Sequence, residues 1–294
     1  MADMITLKAL IKSMRPQQWL KNSLIFTALV FDGKLGVIPD LVRTVIGFLL
    51  FCLVSSAVYI INDLADVEAD RLHPKKRTRP IAAGVLPIPT AWAAVVIIIG
   101  LSLPLAYLLS SSFALVLLTY ILLNIAYSKW LKHVPIIDVF VLASFYVLRV
   151  VAGLTIIHVS RFSPWLYVVT SLLALYIGLG KRRAELMLLA GEANSHRKVF
   201  DGYTIPLLDQ FITIVSAATV GAYSLYTFSA INLPENHTMM LTIPFAIYGI
   251  FRYLYLVQIK QGGGAPEEEL FSDRPLQIAI VLWGLVVVLI LYLF

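Results

Sequence analysis

Asn62–Gly84 reads N-D-L-A-D-V-E-A-D-R-L-H-P-K-K-R-T-R-P-I-A-A-G and lies between two long apolar runs, 41–61 and 88–109. Four acids (Asp63, Asp66, Glu68, Asp70) stand there beside six basic or histidine residues (Arg71, His73, Lys75, Lys76, Arg77, Arg79). A helix continued from Asn62 to Arg71 puts Asp63, Asp66 and Asp70 at i, i+3 and i+7. At about 3.6 residues per turn they share one face, with Glu68 on the opposite side. Three like charges on one face repel unless a cation sits among them. Carboxylate oxygens suit Mg²⁺, which usually keeps waters and is bound through one or two carboxylates plus substrate phosphates. The bases just beyond suit the remaining anionic oxygens of the same ligand. The bland alternative is a solvated loop whose charges only fix topology, a signal that needs Lys and Arg but no spaced aspartates.

Outward from this stretch, the composition sets the class. Hydrophobic residues make up 60% of the 294 and charged residues only 14%, where a soluble domain carries roughly a quarter charged; mean hydropathy is +0.86. An integral membrane protein follows, and the near absence of polar linkers predicts one membrane domain over 1–294. The single cysteine, Cys52, lies in an apolar run and excludes an intramolecular disulfide framework or a Cys-rich zinc site. The net charge of +6 sits in short loops between spans, so topology and anionic substrates or headgroups explain it better than nucleic acid does. No cleavable signal peptide is visible in Met1–Arg15.

Residues 1–22 interleave Lys8, Lys12, Arg15 and Lys21 with Leu7, Leu10, Ile11 and Met14, which predicts an interfacial segment over about 1–17. Apolar runs then predict nine helices, at 18–36, 41–61, 88–109, 112–130, 135–157, 164–180, 209–230, 238–258 and 274–293. The clean apolar core of the first is short of the ~20 residues a span needs. Lys and Arg concentrate at the N-terminus and in 62–87, 129–134, 181–208 and 259–274. The alternate loops hold little beyond Lys34, Arg43 and Arg161. This bias places the N-terminus and the aspartate loop in the cytoplasm, and nine spans put Phe294 outside.

Two further constellations are ionic. Asp138 and Arg149 fall within one predicted span, eleven residues apart on a shared face and about 16 Å apart along the axis. Charge at membrane depth normally pairs or lines a polar cavity. Two readings stand: structural pairs with partners on other helices, or Arg149 as the floor of an anion pocket, with Tyr127 and Lys132 contacting the same ligand. Lys181, Arg182 and Arg183 follow the sixth apolar run and read either as a topology anchor or as a basic site, with Glu185 one turn from Lys181. Arg197, Lys198, Asp201 and Tyr203 follow without a second run of spaced aspartates. The five histidines are scattered without metal-ligand spacing. Gly262–Gly264 reads as a linker, and Asp273 and Arg274 open the last helix, as a cap and anchor or, for Arg274, within reach of the site.

Asn62-Asp63-x-x-Asp66-x-x-x-Asp70, followed by Arg77-x-Arg79-Pro80 and Gly84, resembles the first aspartate-rich motif of the UbiA prenyltransferase superfamily. The resemblance implies an all-α fold of nine transmembrane helices around a central cavity that opens to the cytoplasmic side, binds a magnesium diphosphate and admits lipid from the bilayer. Prenyl-transferring members carry a second aspartate-rich motif after the sixth helix, where this chain has Gly180-Lys181-Arg182-Arg183-Ala184-Glu185-Leu186. Met14-Arg15-Pro16-Gln17-Gln18-Trp19-Leu20-Lys21-Asn22, His73-Pro74-x-Lys76 and the stretch Tyr127–Gly153 look instead like the decaprenyl-phosphate phosphoribosyltransferase branch. That branch implies phosphoribosyl diphosphate and a polyprenyl phosphate as substrates. The product would be polyprenyl-phosphoryl-5-phosphoribose for cell-envelope polysaccharide precursors, made at the bacterial inner membrane. Holding a leaving diphosphate, a ribose 5-phosphate and a lipid phosphate suits a basic run better than a second acidic one. A homo-oligomer is compatible with the sequence.

The resemblance implies that Asp63, Asp66 and Asp70, helped by Asn62, hold Mg²⁺ on the diphosphate. Lys76, Arg77 and Arg79 are candidates for the diphosphate or 5-phosphate, with Lys181 and Arg182 gripping the same groups and Glu185 orienting them. Lys21, Tyr127, Lys132 and Arg149 are candidates for the lipid phosphate or ribose. The alternatives are a prenyltransferase moving an isoprenoid from its diphosphate to an aromatic or other acceptor, and a transporter, in which the spaced aspartates lack a role. Asp66→Asn is expected to insert like the wild type and to lose Mg²⁺-dependent pyrophosphate release. Unchanged release would return the loop to a topology signal.

Overall fold

The computed structural model describes residues 2–73, 76–159, 163–189, 202–231, 233–260, 269 and 272–293. Lys75, Arg197, Lys198, Asp201 and Gly262–Gly264 lie outside the described residues. All regular structure among the described residues is helical, as the composition predicts. In chain order the helices are α1 (Ala2–Met14), 3₁₀ helix η1 (Pro16–Phe26), α2 (Thr27–Phe31), α3 (Ile38–Ala65), α4 (Val67–Leu72), η2 (Lys76–Thr78), α5 (Ile88–Leu109), α6 (Ser111–Lys129), η3 (Leu131–His133), α7 (Ile137–Ile156), α8 (Pro164–Leu189), α9 (Ile205–Ser229), η4 (Thr238–Thr242), α10 (Ile243–Gln258) and α11 (Arg274–Leu293).

Among the described residues, eight stretches are long and apolar enough to cross a membrane: α3, α5, α6, α7, α8, α9, η4 with α10, and α11. They match eight of the nine predicted helices. The predicted first span, 18–36, is instead η1 followed by the five residues of α2, and the chain turns at Gly33 with φ 68°. Lys21, Asn22 and Ser23 interrupt its apolar run. Helix starts follow local chemistry. Pro39, Pro89, Pro206 and Pro244 stand in the first turns of α3, α5, α9 and α10, where a missing N–H costs nothing. Thr204 accepts from the Leu207 N–H at 3.3 Å to cap α9.

The chain packs as two compact units. The first comprises Met1–Leu29, Leu35–Ser128 and Leu148–His158. Here α1 lays Ala9, with Leu10 and Met14, against Ile60 and Leu64 of α3 and against Ile81, Leu86, Ala91 and Val95. The amphipathic segment thus sits at the end of α3 that carries the aspartates. Polar contacts fasten η1 to α3: Trp19 Nε1 donates to Ser56 Oγ at 3.0 Å, and Asn22 Nδ2 to Ser55 Oγ at 3.2 Å. Gly153 lets α7 approach η1 closely, since a Cβ there would fall 2.1 Å from the Ile25 carbonyl oxygen. Arg43 donates to the Leu109 carbonyl at 2.6 Å and the Ile156 carbonyl at 3.0 Å, satisfying the C-terminal ends of α5 and α7.

The second unit comprises Val30–Lys34, Lys129–Val147 and Val159–Phe294. Its core gathers Val139, Tyr176, Leu179, Tyr203, Leu208, Ile212, Ile250, Tyr253, Leu256 and Val257. Asp273 caps α11 by accepting from the Leu276 N–H at 2.9 Å and receives a two-pronged grip from Arg252 at 2.7 and 3.0 Å. That guanidinium holds the Asp273 carboxyl below the ordinary carboxylate value.

Gly153→Ala is expected to destabilise the first unit by about 1–3 kcal/mol, the usual range for overpacking against atoms that cannot move aside. Thermal unfolding in detergent should show a lower midpoint, whereas Gly221→Ala, which meets nothing within 4 Å, should match the wild type.

Candidate active site

The aspartates sit where α3 gives way to α4. The helix closes at Ala65, Asp66 occupies the junction at φ −98° and ψ 9°, and α4 resumes at Val67. The run is therefore not one regular helix. Its hydrogen-bond ladder nevertheless crosses the junction: the Asp66 N–H reaches the Asn62 carbonyl at 3.0 Å and the Asp70 N–H reaches the Asp66 carbonyl at 2.8 Å. The i+3 and i+7 relation survives, and Asp63 and Asp70, each 3% exposed, turn to one side.

One residue joins them. Arg79 Nη1 donates to Asp63 Oδ1 at 3.1 Å and to Asp70 Oδ2 at 2.6 Å. Lys76 Nζ lies 3.9 Å from Asp70 Oδ1. A second arginine, unassigned by the sequence reading, reaches Asp63: Arg15 Nη2 donates to Oδ1 at 2.6 Å. Arg15 has φ 53° and ψ 62°, a left-handed conformation that costs about 1–2 kcal/mol for a residue with a Cβ. Its guanidinium also lies over the Tyr59 ring, 4.9 Å from the centroid. A lone arginine before Pro16 carries no local signal of this role, because its partner lies 48 residues away. The Asp66 side chain is half-buried and makes no hydrogen bond or ion pair among the described residues. Asn62 Oδ1 accepts from Ser128 Oγ at 2.7 Å. Arg77 is exposed.

No three acidic or histidine side chains among the described residues converge tightly enough to cage an ion. Asp63, Asp66 and Asp70 offer carboxylate oxygens, the donor type that suits Mg²⁺.

Elsewhere in the first unit, Arg149 is buried at 4% exposure. Its Nε donates to Asn22 Oδ1 at 2.8 Å, its Nη2 to Tyr120 Oη at 3.3 Å, and its guanidinium faces the rings of Phe51 and Tyr120 at 5.3 and 5.2 Å. Lys21 and Tyr127 belong to the same unit and are half-buried.

Lys132, Lys181, Arg182 and Glu185 belong to the second unit. Asp138, shared by sequence with the Arg149 face, pairs instead with Arg182, which also donates to Glu185. Tyr203 Oη donates to the other Asp138 oxygen at 2.6 Å and accepts from the Ile136 N–H at 2.5 Å. Burial, together with the Asp138 contact, pushes the Tyr203 phenol above the ordinary tyrosine value. The pairing satisfies both buried charges, which is the partners-on-other-helices reading of Asp138. Arg183 pairs with Asp209 at 2.7 Å, while Lys181 remains half-buried with no ion pair among the described residues.

Residues 23–271 match the UbiA prenyltransferase family. The chain belongs to that family. It is 36% identical over 294 residues to the decaprenyl-phosphate phosphoribosyltransferase of Corynebacterium glutamicum, covering 97% of this chain and 87% of that one. It is also 36% identical over 278 residues to the enzyme of the same name from Mycobacterium tuberculosis, covering 93% and 91%. The fold matches a UbiA homologue from Archaeoglobus fulgidus solved with DMAPP and Mg²⁺, with a TM-score of 0.71 over 97% of this chain and 99% of that one at 21% identity. This UbiA chain is thus a multi-pass membrane enzyme of the transferase class.

Asp138→Asn, which breaks the buried Arg182 pair and leaves Arg182 only Glu185, is expected to cost about 3 kcal/mol. Thermal unfolding of the detergent-solubilised protein measures it; an unchanged midpoint would mean that the pair adds nothing to stability.

Proposed function

We propose that this enzyme transfers a 5-phosphoribosyl group from phosphoribosyl diphosphate to a polyprenyl phosphate and releases pyrophosphate. The 36% identity to decaprenyl-phosphate phosphoribosyltransferases over nearly the whole chain carries the reading. The clustering of Arg15, Arg79 and Lys76 around the aspartates is the chemistry it needs, because the substrates bring several phosphate groups together.

In this reading Asp63, Asp66 and Asp70 would hold Mg²⁺, which would supply positive charge opposite the leaving diphosphate. Arg79, Lys76 and Arg77 bind diphosphate or 5-phosphate oxygens, and cationic donors aimed at developing charge lower the barrier most. Asn62, fixed by Ser128, lines the same helix turn. The lipid phosphate oxygen attacks ribose C1 while the bond from C1 to the diphosphate oxygen breaks, its electron pair leaving with pyrophosphate. The attacking oxygen is ionised at neutral pH, so no general base is required. Arg149, Lys21, Tyr127 and Lys132 are assigned to the lipid phosphate or ribose and Lys181 to a phosphate. Arg182 is committed to Asp138 and Glu185, so its part is to fix the helix that carries Lys181.

Residues 1–294 are read as one UbiA-like domain in a bacterial inner membrane. The Lys and Arg bias argues for a cytoplasmic N-terminus and aspartate loop, and the product fits supply of envelope polysaccharide precursors. The test uses purified protein in detergent with Mg²⁺, polyprenyl phosphate and phosphoribosyl diphosphate labelled in the ribose. Label is expected in the lipid extract only when both lipid and Mg²⁺ are present. Turnover of a prenyl diphosphate with no transfer of labelled ribose would replace this reading with isoprenoid transfer.

A further inference from the structure

Arg15 lies outside the basic cluster 71–79, yet it approaches Asp63 more closely than Arg79 does, 2.6 Å against 3.1 Å, and on the same oxygen. The two arginines differ in what their departure would leave behind. Arg79 bridges two buried carboxylates, so removing it loosens both and leaves Asp70 only Lys76 at 3.9 Å. Arg15 holds one carboxylate, its side chain is 32% exposed, and Arg79 stays on Asp63 when Arg15 leaves.

With two guanidinium donors on Oδ1, the lone pairs of that oxygen are filled. A divalent cation on it competes with Arg15 for the oxygen and is repelled by its charge. A guanidinium turned away from Asp63 beside a metal-bound diphosphate has a planar fork that matches two phosphate oxygens. Charge balance argues the same way. Asp63 and Asp70 already have Arg15, Arg79 and Lys76 beside them, so a bare dication adds positive charge next to three cations, while its diphosphate complex, which is net negative, does not.

We propose that Arg15 changes partners during substrate loading: it leaves Asp63 to the metal and takes up the anionic diphosphate, so that metal and diphosphate bind as one unit. The proposal rests on the metal–diphosphate reading of the aspartates and is independent of which group is transferred.

Two binding measurements on the full-length protein in detergent test it. The first is the affinity for Mn²⁺ alone, followed by electron paramagnetic resonance. The second is the affinity for radiolabelled pyrophosphate at saturating Mg²⁺, by equilibrium dialysis. Arg15→Ala is expected to bind Mn²⁺ about tenfold more tightly and Mg²⁺-pyrophosphate about tenfold more weakly than the wild type, a tenfold change being about 1.4 kcal/mol. Arg15→Lys, which keeps the charge without the fork, should stay within about threefold of the wild type for Mn²⁺. Arg71→Ala removes a nearby charge paired with Glu68 and should change neither constant. Both constants weakening together in Arg15→Ala would make the residue structural, and both tightening would make it only a competitor. Either result, or an Arg71→Ala protein that behaves like Arg15→Ala, overturns the exchange. Failure of the ribose-transfer assay leaves both constants measurable, so the two readings fail separately.

Discussion

Two buried carboxylates, Asp63 in the last turn of a 28-residue apolar helix and Asp70 in the short helix after it, impose the constraint on which the first unit is built. Taking a carboxylate out of water is costly unless a cation and hydrogen bonds replace the hydration. Asp63 and Asp70 meet that demand through Arg79, and Asp63 also through Arg15. The two arginines come from opposite sides in sequence, one from the joint after α1 and one from beyond η2. Each therefore fixes a connecting segment against the helix end. The described residues of 62–87 pack around their charges as much as around their apolar side chains.

On the proposed reading, the same arrangement favours a metal-bound anion over a metal alone. Carboxylates already neutralised by cations gain little from a bare dication. They gain more when the incoming ligand carries its own negative charge and can accept the displaced donors. A charge-assisted hydrogen bond is roughly twice as strong as a neutral one, so moving a guanidinium from carboxylate to phosphate loses little. In the second unit the logic is structural: Arg182, Asp138, Glu185 and Tyr203 satisfy one another within a largely apolar core, and the neighbouring Lys181 makes no ion pair among the described residues.

Much of the fold was legible because apolar length is a local property. Eight of the predicted helices appear with ends shifted by a few residues. The largest shift is in α8, which runs on through the basic residues 181–183 to Leu189. The predicted first span is η1 and α2 instead, where Lys21, Asn22 and Ser23 break the apolar run and Asn22 is spent on holding Ser55 and Arg149. Within the site, the i+3 and i+7 spacing of the aspartates was legible, since helical periodicity relates residues on one chain segment. The break at Asp66 was not, because the backbone bonds that carry the ladder across it leave no mark on composition.

The sequence by itself determined the helical membrane class, the position and spacing of the aspartates, the basic segments beside them and the family. These follow from hydropathy, from periodicity and from residue types within short windows. Only the tertiary structure decided which cation meets which carboxylate. Asp138 shares a helix face with Arg149 yet pairs with Arg182, 44 residues on, while Arg149 rests on Asn22 and aromatic rings. Asp63 takes Arg15 from 48 residues upstream. Ion pairs across helices depend on how the helices pack, and burial makes an unpaired charge too costly to leave where the pattern along one helix would put it.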